Sequence, residues 1–182
     1  MHEKQEAAPP RRASFLRRLL AFLLDGVGLL VVGFALLAMT TAIVGPTVRL
    51  DLDAAASPVS EVRAWRVILN AVLLAALSGT YFVVAWTRFG STLGQRQLRL
   101  VVTVTSSHGT RPSIQRAALR WALLGAPLGL VAALTVDAPL LFLAVFVLSF
   151  GWFAGLILTT LLSRTGRGLH DRLAGTTVTR RA

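Results

Sequence analysis

Residues 19–44 read LLAFLLDGVGLLVVGFALLAMTTAIV, an apolar run in which Asp25 is the only charged residue. A helix needs about 20 apolar residues to cross ~30 Å of hydrocarbon, and this run exceeds that length. Three further apolar stretches meet or approach it, at residues 67–86, 121–136 and 140–162. The sequence therefore predicts an all-α membrane protein with four transmembrane helices. The third span is short, so Arg116 and Arg120 are expected to extend toward the surface at its start.

Composition restricts the function classes. The 182 residues are 54% hydrophobic and 15% charged, whereas soluble domains carry about a quarter charged residues. These values exclude an ordinary soluble enzyme, a small secreted module and a disordered chain. The chain has no cysteine and three histidines, so a tetrahedral metal site is not expected. Hydrolase motifs and phosphate-binding loops are absent from the sequence, and we expect no catalytic residue, cofactor or metal.

The basic residues indicate the orientation in the bilayer. Sixteen of the 19 Lys and Arg residues fall in three segments that the four spans place on one side: residues 1–18, the loop of about 88–120, and the tail after Ser163. The positive-inside bias then predicts a multi-pass protein of the cell membrane with both termini cytoplasmic. Residues 1–12 are predicted to be a disordered basic arm, and residues 13–182 the membrane domain. Because the arginines follow the membrane boundary, a nucleic-acid partner is not expected.

Two segments on the predicted cytoplasmic side are rich in β-branched residues. They are residues 98–104 in the loop and residues 175–179 in the tail. A single strand at a membrane surface would leave its backbone groups unpaired, so the two segments are predicted to form a small cytoplasmic two-strand element. Before the first of them, Ser91 or Thr92 is suited to cap a short helix that runs through Gln97.

Asp25 is the strongest single signal in the sequence. An ionisable group inside a span costs on the order of 3 kcal/mol, so it usually faces the bundle interior or a water-filled cavity. Two interpretations stay open: an ion or proton site, and a buried anchor that fixes helix packing. Arg18, seven positions earlier, lies on the same helical face. Candidate hydrogen-bond partners on the second span are Asn70, Ser78, Thr80 and Tyr81.

Pairs of glycines with four-residue spacing occur on both arms of the predicted hairpin of the third and fourth spans. They are Gly125 with Gly129, and Gly151 with Gly155. Such spacing predicts close packing of these two helices or of two subunits. We accordingly expect Gly129→Leu or Gly155→Leu to be more destabilising than Gly33→Leu. Pro127 is expected to kink the third helix.

The tail after the last span combines charged and small residues, Leu169-His170-Asp171-Arg172-Leu173-Ala174-Gly175-Thr176. His170 and Asp171 are compatible with a proton relay, half of a metal site, or the first turn of a helix at the interface. We expect Arg18 to pair with Asp171, closing the tail over the cytoplasmic end of the bundle, with Asp25 about two turns deeper. Exchanging the two charges is then expected to restore the stability that each single mutation removes.

Three segments in this order resemble the RDD family of bacterial integral membrane proteins. They are Arg18-Leu-Leu-Ala21-Phe-Leu-Leu-Asp25, Thr92-Leu-Gly94-Gln-Arg96, and residues 169–176, and the resemblance covers about residues 12–180. The family is named for one arginine and two aspartates, which match Arg18, Asp25 and Asp171. Residues 97–99 depart from the more apolar stretch that many members have there. The resemblance implies transport of unidentified ligands, with cation/proton exchange in some members.

The leading functional prediction is a transporter or cation/proton exchanger that uses Asp25 as its membrane-embedded carboxylate. Four helices are few for alternating access, so homo-oligomerisation would be required. The alternative is a non-transporting scaffold or accessory subunit in which Arg18, Asp25 and Asp171 lock helix packing. A weaker third option is attraction of anionic lipid headgroups, at about 1 kcal/mol per basic residue. Transport predicts a polar, water-accessible cavity around Asp25, whereas a scaffold predicts a fully paired Asp25 in a dry interface.

Overall fold

The computed structural model describes residues 13–50, 59–107, 109–163 and 166–180, so the predicted arm at residues 1–12 lies outside the described residues. The helices are α1 (Phe15–Val44), α2 (Ala64–Val84), α3 (Leu93–Gln97), α4 (Ile114–Leu123), α5 (Ala126–Leu134), α6 (Pro139–Leu161) and α7 (Leu169–Leu173). The strands are β1 (Val48–Leu50), β2 (Val59–Val62), β3 (Leu100–Val104) and β4 (Thr176–Arg180). A π-helical turn, Ala85–Phe89, continues α2.

Three helices in the described part of the chain are long and apolar enough to cross a membrane: α1, α2 with its π-helical turn, and α6. Their outward side chains are large and apolar; Leu140 and Phe150 on α6, for example, are 85% and 73% exposed. Soluble proteins rarely leave contiguous apolar surface of this kind uncovered. The apolar helices therefore indicate a membrane protein, as the sequence predicts.

The third predicted span, residues 121–136, is not one straight helix. The chain bends by 53° between α4 and α5, and Gly125 at the break has a left-handed φ of +91°. Pro127 does not kink a continuous helix as predicted, because it lies in the first turn of α5, where proline is tolerated. Among the described residues there are thus three candidate spans, or four if the bent pair crosses as one.

Strand β3 pairs with β4 in antiparallel fashion, with Leu100 opposite Arg180 and Val104 opposite Thr176. This pairing confirms the predicted two-strand element. A second ribbon, β1 with β2, lies in the loop between α1 and α2. The sequence analysis did not predict that ribbon, since strands of three and four residues are too short to show a period of two.

One end of the bundle, which we call the polar end, gathers the start of α1, the end of α2, α3, α4, the end of α6, α7 and the β3–β4 sheet. A buried cluster joins the start of α1, the end of α2, α4 and the β3–β4 sheet: Ala13, Ala21, Phe82, Trp86, Leu100, Val102, Ala117 and Val178. Thr92 caps α3 and forms a capping box with Gln95, which confirms the predicted short helix. The best-packed part of the described chain is therefore this end, where the predicted charged residues also lie.

Candidate functional site

The carboxylate of Asp25 accepts hydrogen bonds from two other segments of the chain. Its Oδ1 accepts from the Tyr81 hydroxyl at 2.6 Å and from the Gly94 backbone N–H at 2.8 Å. Its Oδ2 accepts from the Thr92 hydroxyl at 2.5 Å. Asp25 is 5% exposed. Because Tyr81 lies on α2 and Gly94 on α3, one carboxylate ties α1 to both elements.

The segment from Thr92 to Gln95 is shaped to reach this carboxylate. The Thr92 Oγ1 accepts a hydrogen bond from the Gln95 N–H at 3.3 Å, and the Gln95 Oε1 accepts one from the Thr92 N–H at 3.0 Å. These bonds pair two backbone N–H groups at the start of α3. The Thr92 hydroxyl proton is not used in them and is donated to Asp25. At Gly94, a Cβ atom would collide with the backbone oxygen of Ala21. Only glycine allows α3 to lie this close to α1. The quoted RDD-like segment thus contains two Asp25 partners, Thr92 and Gly94, and neither was predicted to contact Asp25.

Asp171, which is fully buried, forms the second charged centre of the polar end. Its Oδ2 lies 3.0 Å from the Nη1 of Arg18, and its Oδ1 pairs with the Nη1 of Arg120. The second Nη of Arg18 donates to the Val178 carbonyl of β4 at 2.9 Å. The Arg18–Asp171 pair expected from the sequence is therefore confirmed, and Asp25 is held by other groups.

Arg120 is the charged residue that sequence reasoning misplaced. It was expected to extend toward the surface, but it is 3% exposed, and its Nη1 also donates to the Thr176 hydroxyl at 2.7 Å. Its guanidinium lies 5.0 Å from the ring centroid of Trp86, a cation–π distance. Its partner Asp171 is 51 positions further along the chain. Local sequence carries no signal for a contact of that separation.

Electrostatics keep the Asp171 centre ionised and its neighbour His170 neutral. Burial alone would raise the pKa of Asp171, but the positive charges of Arg120 and Arg18 hold it below its usual range. Burial, together with the charge of Arg120, lowers the pKa of His170 to about 4. His170 is thus uncharged near pH 7, and its Nε2 lies 3.5 Å from the Asp171 carboxylate. Among the described residues, no group of three or more His, Cys, Asp or Glu side chains is placed to hold a metal ion.

A cavity of about 180 Å³ lies between the start of α1 and the end of α6. Charged or polar side chains line one part of it: Arg18, Asp25, Gln95, Arg120, Thr160 and His170. Apolar side chains from α1, α2 and α6 make most of the remaining wall, including Phe22, Trp86 and Phe153. Both charged centres therefore border one largely apolar space.

Not every predicted partner of Asp25 belongs to this site. Tyr81 does, but the Asn70 Oδ1 accepts from the hydroxyl of Thr40, at 2.7 Å. Thr40 is fifteen positions after Asp25 on α1, which corresponds to roughly 22 Å along a helix. The supporting role predicted for Asn70 is therefore wrong. Ser78 also has another partner, since its hydroxyl accepts from the Trp121 Nε1 at 3.3 Å.

Within the described chain, three of the four predicted packing glycines do not lie against a neighbouring helix, and packing between two subunits stays a prediction. A Cβ atom added at Gly129, Gly151 or Gly155 would meet no described atom within 4 Å. Gly125 instead permits the break before α5, and a Cβ there would approach Phe153 to 2.8 Å. The spacing alone misled because it does not say which helical face a neighbour covers.

Comparison with known proteins gives one match. A sequence profile of the RDD family matches residues 12–175, a range that includes Arg18, Asp25 and Asp171. No curated protein and no solved structure is significantly similar to this chain. Since the matched range covers most of the chain, this membrane protein belongs to the RDD family.

Proposed function

We propose that this chain is a non-transporting membrane scaffold or accessory subunit, whose charged residues lock the polar end into one arrangement. The observation that carries the proposal is the state of Asp25. It is 5% exposed, and both its oxygens accept hydrogen bonds from Tyr81, Thr92 and Gly94. A buried carboxylate whose two oxygens are both paired is what a structural anchor requires.

The Asp171 centre supports the same function. It joins α1 through Arg18 and α4 through Arg120, while Val178 and Thr176 bring in β4. Removing one partner of a buried ion pair typically costs about 3–5 kcal/mol, because the other charge is left buried and unpaired. Asp25 and the Arg18–Asp171 pair both connect α1 to other elements, and together they give the polar end a fixed shape that a partner protein can recognise.

Cation/proton exchange through Asp25 is the second candidate. The observation that favours it is that Asp25 lines the cavity between α1 and α6. Exchange would require the three hydrogen-bond donors to release the carboxylate in each cycle, and a homo-oligomer to complete a pathway. For both candidates we propose a non-enzymatic protein of the cell membrane with cytoplasmic termini and no bound metal or cofactor.

Flux measurements in proteoliposomes discriminate between the two candidates. Purified protein is reconstituted with an internal pH-sensitive dye, and Na⁺ or K⁺ gradients are imposed on wild type, Asp25→Asn and the control Asp137→Asn. Asp137 is an exposed carboxylate in the turn before α6. The scaffold function predicts no flux above protein-free liposomes in any sample.

Thermal unfolding of the same samples tests the anchor directly. In Asp25→Asn, an amide N–H₂ group replaces one of the two oxygens that accept hydrogen bonds in wild type. At least one donor then loses its acceptor, so we expect Asp25→Asn to lose about 1–3 kcal/mol of stability. Asp137→Asn should unfold like wild type. Wild-type flux that Asp25→Asn abolishes, with an unchanged unfolding temperature, would establish the exchanger and reject the scaffold.

A further inference from the structure

The cavity between α1 and α6 opens on the apolar flank of the bundle. Three side chains that line it, Phe22 on α1 and Phe153 and Ile157 on α6, are 46%, 42% and 46% exposed. Both helices are candidate membrane spans. The entrance therefore faces the hydrocarbon side of the protein, while the charged wall lies further in.

Buried hydrogen-bonding atoms on the charged wall lack partners. The Nε atoms of Arg18 and Arg120 and the Nδ1 of His170 make no hydrogen bond to any residue that the structure describes. All three residues line the cavity, and Arg120 is 3% exposed. Buried polar groups in proteins are nearly always paired, because an unpaired one costs free energy. These atoms are enclosed, so an acceptor from outside the described chain reaches the two N–H donors only if the arginine side chains shift.

The two arginines on the cavity wall specify what kind of acceptor fits. Asp171 is shared by two guanidinium groups, Arg18 and Arg120, so one carboxylate serves two buried cations. Asp25, the acid that lines the cavity, takes its described hydrogen bonds from the neutral groups of Tyr81, Thr92 and Gly94. Two arginines on the wall of a cavity with an apolar entrance match an anionic group that carries an apolar tail.

We propose that this cavity binds the headgroup of an anionic lipid, with the acyl chains leaving between α1 and α6 past Phe22 and Ile157. A volume of about 180 Å³ corresponds to several water molecules at ~30 Å³ each, which suits a headgroup but not whole acyl chains. The chains then lie against the exposed apolar side chains at the entrance. A free anion could contact the same two arginines but would leave this apolar entrance uncovered. The site goes beyond the scaffold function, and it is independent of whether the protein moves ions.

Lipid binding to the intact purified protein tests this site. Wild type in neutral detergent with 150 mM salt is titrated with phosphatidylglycerol, phosphatidylcholine or glycerol phosphate, and binding is followed by native mass spectrometry and by the unfolding temperature. Ile157→Trp obstructs the entrance from α6, and its control is Leu158→Trp, an exposed neighbour that does not line the cavity. Phe22→Trp obstructs the entrance from α1, with Phe34→Trp as its control.

We expect saturable binding of phosphatidylglycerol alone, weakened about tenfold or more by either entrance variant, a loss of at least ~1.4 kcal/mol, and unchanged in both controls. Equal binding by all variants would mean that surface arginines attract the headgroups, and the proposed site would be wrong. Equal binding of phosphatidylcholine would remove the anionic requirement, and binding of glycerol phosphate would make the ligand a free anion. Absence of phosphatidylglycerol binding would also overturn the site. None of these outcomes depends on the flux assay, so the two proposals fail separately.

Discussion

Asp171 accepts from Arg18 and Arg120 at the same time, and this sharing changes what a charge exchange can do. In the double mutant Arg18→Asp, Asp171→Arg, the new arginine at position 171 would face Arg120. We therefore expect the double mutant to be no more stable than either single mutant, which reverses the rescue expected from the sequence. Chemical unfolding in detergent measures this, and each single mutant should lose about 3–5 kcal/mol. Recovery to within about 1 kcal/mol of wild type would show that Arg120 contributes little to the pair.

His170 gives the polar end a dependence on pH. Its pKa is about 4 in the folded protein and about 6.5 when unfolded. Between these two pH values the imidazole is protonated in the unfolded chain but neutral in the folded one. Stability therefore falls between about pH 6.5 and 4, by roughly 3 kcal/mol when the full shift is counted. The stabilisation that comes from the ionised Asp171 carboxylate is still present between pH 6.5 and 4, because the pKa of Asp171 is lowered and the carboxylate protonates only at lower pH.

We predict that His170→Gln loses less stability than wild type when the pH is lowered from 7 to 4.5. The reason is that glutamine keeps a polar side chain but cannot titrate. Unfolding temperatures at the two pH values provide the measurement, with His108→Gln as a control for loss of another histidine. An equal loss in wild type and His170→Gln would assign the acid sensitivity to other groups.

At the scale of helices, contacts rather than glycine spacing decide which substitution is costly. A Cβ at Gly33 would lie 3.1 Å from the Leu74 side chain on α2, whereas one at Gly155 would meet no described atom within 4 Å. We now expect Gly33→Leu to lower the unfolding temperature more than Gly155→Leu, the opposite of the order expected from sequence. Overpacking of this kind typically costs about 1–3 kcal/mol. A larger loss for Gly155→Leu would place an unseen neighbour, such as a second subunit, on α6.

Sequence patterns predicted the elements whose signals are local. The apolar run that includes Asp25 became α1, Thr92 became the cap of α3, and the two β-branched segments paired as β3 and β4. Sequence patterns did not predict features that depend on contacts between residues far apart in the chain. Gly125 lies close to Phe153 of α6, and the burial of Arg120 depends on Asp171. The Arg18–Asp171 pair could be predicted because the four spans place the start of the first helix and the tail after the last one on the same side of the membrane.

At the scale of the whole molecule, the charge distribution predicts the orientation in the membrane. The chain has no cysteine, so single cysteines at Ser57 and Ser107 can be labelled without background. With an impermeant thiol reagent on intact cells, we expect labelling at position 57 and protection at position 107, since the positive-inside bias places the arginine-rich loop in the cytoplasm. Labelling at 107 but not at 57 would reverse the topology. Labelling after cell lysis shows that both sites can react.

The separation of Arg18 and Asp171 along the chain, 153 positions, has a consequence for biosynthesis. During translation Arg18 is made first and Arg120 next, and both arginines precede their shared carboxylate, which emerges only after α6 has been made. Strand β3 is likewise made before β4, and until β4 has been made this edge of β3 has no partner strand. The polar end can therefore close only on a chain in which α6 has already been made. Its closure comes late in synthesis, and a chain that stalls before α7 leaves Arg18, Arg120 and the edge of β3 without these partners.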